Sequence, residues 1–185
     1  MTATTASQQD QQEEEYRALR ATIRERGTAR VYVFVSGFVA WGALAVATAA
    51  LASTPVASLL PLIVLAAVFE AVFALHVGVE RVGRYLQVFH ETGEAPAWEH
   101  IAMAFGRPKD AAASDPLFSI PFLLAALFNI MPALIVRPTA AEIVFVGGAH
   151  ALFVLRLVVA RMASARQRAV DLERFQVLKG SKPQG

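Results

Sequence analysis

The chain alternates between long apolar runs and shorter charged ones. Positions 31–51, 56–79, 117–136 and 140–160 carry few polar groups. Each run is close to the ~20 residues that a helix needs to cross ~30 Å of hydrocarbon. Turn chemistry separates them. "ASTPVAS" ends the first run, with Thr54 placed to cap a new helix and Pro55 in its first position. "SDPLF" opens the third run in the same way, through Asp115 and Pro116. "RPTAAEI" turns the chain into the fourth, where Thr139 and Glu142 make a T-x-x-E capping box. The pattern predicts an all-α integral membrane protein, a bundle of four transmembrane helices.

Between the runs the periodicity is amphipathic. The polar opening 1–15 reads as a disordered cytoplasmic tail, and it has no apolar core of a signal peptide. Over 16–30, Tyr16, Leu19 and Ile23 share one face of an interfacial helix. The loop 80–116 prolongs the second helix through Tyr85, Leu86 and Phe89 until Thr92-Gly93 stops it. It then offers a short amphipathic piece with Trp98, Ile101 and Phe105. The last segment, 161–185, is a cytoplasmic helix and tail with Val170, Leu172, Phe175 and Leu178 along it.

Charge adds an orientation. Arg17, Arg20, Arg24, Arg26 and Arg30 precede the first run; Arg81, Arg84, Arg107 and Lys109 lie between the second and third; Arg161, Arg166, Arg168, Arg174 and Lys179 follow the fourth. The two opposite connections carry only Arg137. Positive charge stays inside, so both termini and the central loop are expected in the cytoplasm, and the chain in the plasma (bacterial inner) membrane. The same asymmetry accounts for the Arg-rich flanks without a nucleic-acid partner. The expected partners are the lipid bilayer and a second copy or another membrane component, met through the cytoplasmic helices.

Composition narrows the chemistry. Hydrophobic residues make up 56% and charged residues 17%, the latter below the quarter usual in soluble domains. The absence of cysteine excludes disulfides, Cys-ligated zinc and iron–sulfur clusters. The four histidines, at 76, 90, 100 and 150, have no metal-ligand spacing, so no metal and no cofactor are expected. No phosphate-binding loop, GxSxG, HExxH or dinucleotide fingerprint appears, so the chain is not expected to be an enzyme.

Residues 70–83, "EAVFALHVGVERVG", lie without a gap on residues 150–163, "HALFVLRLVVARMA". A parallel repeat of two helical hairpins would produce this match, and so would chance sharing of Ala, Leu and Val. The match sets Glu70 beside His150 in register, and Asn129 falls at a similar depth. Glu70, Asn129 and His150 are therefore the candidate intramembrane polar cluster, as helix-holding contacts or as a proton site. Glu70 is expected to be protonated there, donating to His150 or Asn129. His76, Glu80 and Arg84 recur every four residues, and Arg156 matches His76; these four are the candidate interfacial charge cluster. Pro121 and Pro132 are expected to kink the third run. Ser36, Ala40, Ala43, Ala47 and Ala50 form a small-residue stripe that permits close helix packing, and Trp41 is expected in the interior.

Two functions fit these features. The first is a non-catalytic scaffold, sensor or accessory subunit working through its cytoplasmic helices. The alternative is a small oligomeric ion or proton channel, or a transporter, using the Glu/His/Asn cluster.

Overall fold

The computed structural model describes residues 2–51, 54–91, 97–105 and 116–181, and no strand occurs among them. The α-helices are α1 Thr2–Leu51, α2 Leu59–Phe89, α3 Trp98–Phe105, α4 Pro116–Ile135 and α5 Ala140–Ser181, with a 3-10 turn, Pro55–Ser58, leading into α2. Three stretches, Ser7–Leu51, Pro55–Phe89 and Ala140–Ser181, are long and apolar enough to cross a membrane. The apolar part of α4, Ser119–Ile135, is shorter. Asp115 and Thr92-Gly93 lie outside the described residues.

α1 begins at Thr2, where composition predicts a disordered tail over 1–15. Ala, Gln and Glu are strong helix formers, so the low hydrophobicity that argues against a packed core does not argue against a helix. Arg17 also bonds Glu13 at 2.7 Å, four residues back. At the other end of α1, Pro55 takes the first position of the 3-10 turn, but Thr54 makes no side-chain cap. Its carbonyl instead accepts from the Ala57 N–H at 3.2 Å. The Thr139–Glu142 box does form: Glu142 Oε2 accepts the Thr139 N–H at 2.8 Å, and Thr139 Oγ1 accepts the Glu142 N–H at 3.3 Å. α4 is helical through both Pro121 and Pro132. It is followed by Arg137 in the left-handed region at φ 53°, a place where glycine would meet less steric cost.

The chain groups into two compact units. The apolar unit comprises Arg30–Ala74 and Ser114–Met162. Its centre is Phe122 of α4, 0% exposed, which meets Phe38 of α1 edge-on at 5.1 Å and Phe69 of α2 at 5.3 Å. Phe69 in turn meets Phe153 of α5 at 6.2 Å. α1 and α2 approach closely where Gly37 faces Val68, since a methyl added at Gly37 would overlap the Val68 side chain. α4 turns Ala125, Ala126, Asn129 and Ala133 inward and leaves Leu124, Leu127, Phe128 and Met131 exposed. Apart from Phe122, the inward side chains of α4 are small and the outward ones large and apolar. On α1 the packed face holds Phe34, Phe38 and Trp41. The stripe of Ser36, Ala40, Ala43, Ala47 and Ala50 is exposed, so it is not used for packing within the described residues. The hydroxyls on α1 are satisfied by their own helix: Ser36 donates to Tyr32 O at 2.7 Å and Thr48 to Leu44 O at 2.9 Å.

The charged unit comprises Met1–Ala29, Leu75–Ala113 and Ala163–Gly185. Leu86 is its most buried apolar residue. Tyr85, Phe89 and Phe175 pack ring against ring, Tyr85 to Phe175 at 5.7 Å and Phe89 to Phe175 at 6.2 Å. Lys179 Nζ donates to Val88 O at 2.7 Å, which ties the end of α5 to α2.

One rule organises the two long helices. Buried positions on α5 fall at Val146, His150, Phe153, Leu157, Ala160, Ser164 and Asp171; on α2 a row of buried positions falls at Leu62, Leu65, Phe69, Val72, Gly83 and Leu86, with Pro61, Arg84 and Val88 buried beside it. Both follow a three-four alternation, the seam of a helix packed along its length. Laid on one another by the 80-residue offset, the two seams are out of phase by one position, a rotation of about 100°. Matched letters of the internal repeat therefore occupy unlike environments: His150 is buried and Glu70 is exposed.

Candidate functional site: polar groups between the helices

Asn129 and His150 come together in the apolar unit. Asn129 Nδ2 donates to Ser58 O at 2.8 Å and lies 3.0 Å from His150 Nε2. His150 Nδ1 is 2.8 Å from Val146 O. Backbone carbonyls only accept, so two of them fix every proton in this group. The atom facing Ser58 must be the amide NH2, and the His150 nitrogen facing Val146 must carry the hydrogen. Nε2 is then the acceptor for the second amide hydrogen. The contact joins α4, α5 and the 3-10 turn, with Asn129 and His150 3% and 6% exposed. Within this group Asn129 Oδ1 has no hydrogen-bond partner among the described residues.

Glu70 is not part of this group. The sequence sets it with Asn129 and His150 as a protonated donor, but the structure pairs it with Arg156 of α5. Arg156 Nε is 2.7 Å from Glu70 Oε1, and Nη2 donates to Oε2 at 2.7 Å. The same guanidinium lies over the rings of Phe69, at 5.8 Å, and Phe73, at 5.5 Å. The reason is the phase shift of the seams. Glu70 is one residue beyond the buried Phe69 and Arg156 one residue before the buried Leu157, so both flank the seam, where ion pairs across packed helices form. Arg156, which the sequence assigns to the charge cluster, instead pairs with Glu70 in the apolar unit.

The remaining members of that cluster stay together in the charged unit. His76 Nε2 is 3.6 Å from Glu80 Oε1, and Glu80 Oε2 is 3.8 Å from Arg84 Nη1. Arg168 Nη1 of α5 also approaches Glu80 Oε1, at 3.6 Å. The centre of the arrangement is Asp171, which the sequence analysis passes over. Its Oδ2 accepts from Arg81 Nε and Arg84 Nη2, both at 3.3 Å, and Oδ1 accepts from Gln167 at 2.7 Å. Burial works to raise the Asp171 carboxyl, but the bonds from Gln167 and Arg81 and the charges of Arg81 and Arg84 hold it below the usual range. Arg84, 2% exposed, bears the opposite balance: burial lowers its pKa more than Glu80 and Asp171 restore. It is not a snorkelling side chain, because its head group is enclosed. The signal for Asp171 is present in the sequence as the eighth position of the seam that starts at Val146, counting Gln167.

α3 is held by groups from α1 and from just beyond α2. Glu91, just past α2, accepts the Glu99 N–H at 2.8 Å and the His100 N–H at 3.1 Å, and its Oε2 lies 2.8 Å from His100 Nδ1. A carboxylate on the free N–H groups of a helix start is well placed electrostatically. Burial opposes the Glu91 charge, and these bonds still keep its carboxyl below the ordinary range. Arg20 Nη1 of α1 donates to Glu99 Oε1 at 2.6 Å. For Glu99 burial comes first, and with the nearby Glu91 charge it outweighs Arg20, so this carboxyl is raised. Tyr85 donates to Glu15 Oε1 at 2.6 Å; that bond, with burial, pushes its phenol up to about 12. The consequence for α3 is an inverted attitude. Glu99 faces in, while Trp98 and Ile101 are 67% and 54% exposed.

No group of His, Asp and Glu able to hold a metal ion occurs among the described residues. An apolar groove of about 310 Å³ passes His150 between Leu127 and Val154, and it brings no charged side chain to the imidazole. Compared with protein-family models, with curated proteins and with solved structures, the chain matches none.

Proposed function

We propose that the chain is a non-catalytic multi-pass membrane protein, a scaffold, sensor or accessory subunit that offers its cytoplasmic helices to a partner. In this reading α4 is also a span, the third of four along the chain, and both termini lie in the cytoplasm of the cell. The Lys and Arg asymmetry supports the orientation, and the exposed Leu124, Leu127, Phe128 and Met131 support lipid around α4.

The observation that carries the reading is the attitude of α3. An isolated amphipathic piece would bury Trp98 and Ile101. Here Arg20 and Glu91 take the polar side instead and hold the apolar residues outward. Of the other apolar positions on the cytoplasmic helices, Tyr85 and Phe89 are spent internally on Phe175. Val177 and Leu178 remain exposed on α5.

Native electrophoresis of source membranes tests this. The double variant Trp98→Ala/Ile101→Ala should shift the protein from a larger complex to a smaller species. A complex of unchanged size sinks the scaffold reading. Proton or alkali-cation flux in proteoliposomes that disappears with His150→Phe would replace it with the transport alternative.

A further inference from the structure

A cavity of about 40 Å³ lies in the apolar unit between α1, the 3-10 turn and α4. Thr48, Thr54, Ser58, Asn129 and Ala133 are among its walls. The hydrogen-bond accounting around Asn129 makes it more than a packing defect. Both amide hydrogens are committed, to Ser58 O and to His150 Nε2. The carbonyl Oδ1 is left as an acceptor with no protein partner, on a side chain that is 3% exposed and lines the cavity. Thr48 contributes a second acceptor: its hydroxyl hydrogen is directed to its own helix, at Leu44 O 2.9 Å or Ala45 O 3.0 Å, so the oxygen keeps lone pairs.

A ligand for this place must donate hydrogen bonds and must be very small. It must also be neutral, because no carboxylate lines the cavity and a cation there would be desolvated without compensation. We propose that the cavity is an ordered-water site, in which water donates to Asn129 Oδ1 and to Thr48 Oγ1 and so links α1 to the Asn129–His150 group. The volume is adequate, since one water occupies about 30 Å³ of liquid. The polar core of the apolar unit then runs from α1 through water and Asn129 to the 3-10 turn and, by His150, to α5.

Asn129 is the single asparagine in the chain, so asparagine-specific labelling reports on this one side chain. In proteoliposomes, water-edited solid-state NMR should show the Asn129 13Cγ signal recovering several-fold faster than the phenylalanine ring carbons. Recovery as slow as those rings overturns the proposal. In Ala133→Val, whose larger side chain intrudes on the cavity, the recovery should slow several-fold. An unchanged rate there also overturns it, and if that variant does not fold, the wild-type comparison decides alone. A correlation from added 15N-ammonium to Asn129 would replace the neutral ligand with a cation and refute the water site.

Discussion

Glu70 and Arg156 meet as a side-on fork between α2 and α5, two contacts of 2.7 Å that hold the guanidinium and carboxylate in one plane of recognition. Their side chains are 48% and 41% exposed within the protein, so what surrounds them decides what the pair is worth. In water such a pair contributes about 0–1 kcal/mol. In hydrocarbon, removing one partner strands the other and costs about 3–5 kcal/mol. In bicelles, Glu70→Leu alone should therefore destabilise strongly, and Glu70→Leu/Arg156→Leu should recover most of the loss. A single-variant effect below about 1 kcal/mol would place the pair in water.

Asn129 and His150 should respond unequally. Asn129→Leu deprives both Ser58 O and His150 Nε2 of their donor, whereas His150→Phe leaves the Asn129–Ser58 bond in place. A buried polar group left unsatisfied costs about 1–3 kcal/mol, so Asn129→Leu should lower thermal stability more. Unfolding in detergent, followed by circular dichroism, checks the order.

Much of this was legible in the chain before its fold was known. Three of the apolar runs and the Thr139–Glu142 box depend on neighbours in sequence, and the structure has them; at Pro55 it has the turn without the Thr54 cap, and the apolar part of α4 is shorter than the run over 117–136. Which polar groups meet depends on helix rotation, and there letter matching misled. The match of 70–83 with 150–163 aligns Glu70 with His150 but conceals a one-residue offset between the two buried seams. Counting the seam itself puts His150 inside, sets Glu70 and Arg156 on its edge and arrives at Asp171. Ser58 O was not foreseeable, because a backbone carbonyl becomes a site only when the 3-10 turn is in place.

Gly37 permits the approach of α1 to α2. Gly37→Ala should destabilise by about 1–3 kcal/mol through overpacking against the stiff Val68 side chain. Val68→Ala should restore much of that loss in the double variant, and denaturation of the four proteins gives the coupling. Additive losses would mean that the two helices can part without cost.

The charged unit should loosen first in acid. Asp171 and Glu91 have folded-state pKa values below those of the unfolded chain. Their contribution is present above the ordinary carboxylate range, about pH 4, and is lost as pH falls through the depressed folded values. Glu99, raised by burial, works the other way, because its ionisation is what folding disfavours. Hydrogen exchange between pH 7 and 3 should show 81–91 and 164–175 losing protection ahead of the apolar unit. Asp171→Asn should remove most of the acid dependence at 164–175.

Topology is accessible directly, since the chain has no native cysteine. Cysteine placed at Thr54 or Thr139 should react with an impermeant reagent outside the cell, and cysteine at Glu173 should not. The opposite pattern reverses the orientation.

The contacts that fix α3 all come from earlier in the chain. Arg20 and Glu91 are made before Trp98 leaves the ribosome, so α3 can settle before Asp171 has been added. Arg84 has a different history. Its carboxylate partner on α5, Asp171, is added 87 residues later. Until then this arginine is a charged group without its enclosure, and the charged unit cannot close. Order of synthesis thus separates the two: the α3 clasp draws only on residues made before it, whereas the Arg84–Asp171 contact, like those of Phe175 and Lys179, has to await α5.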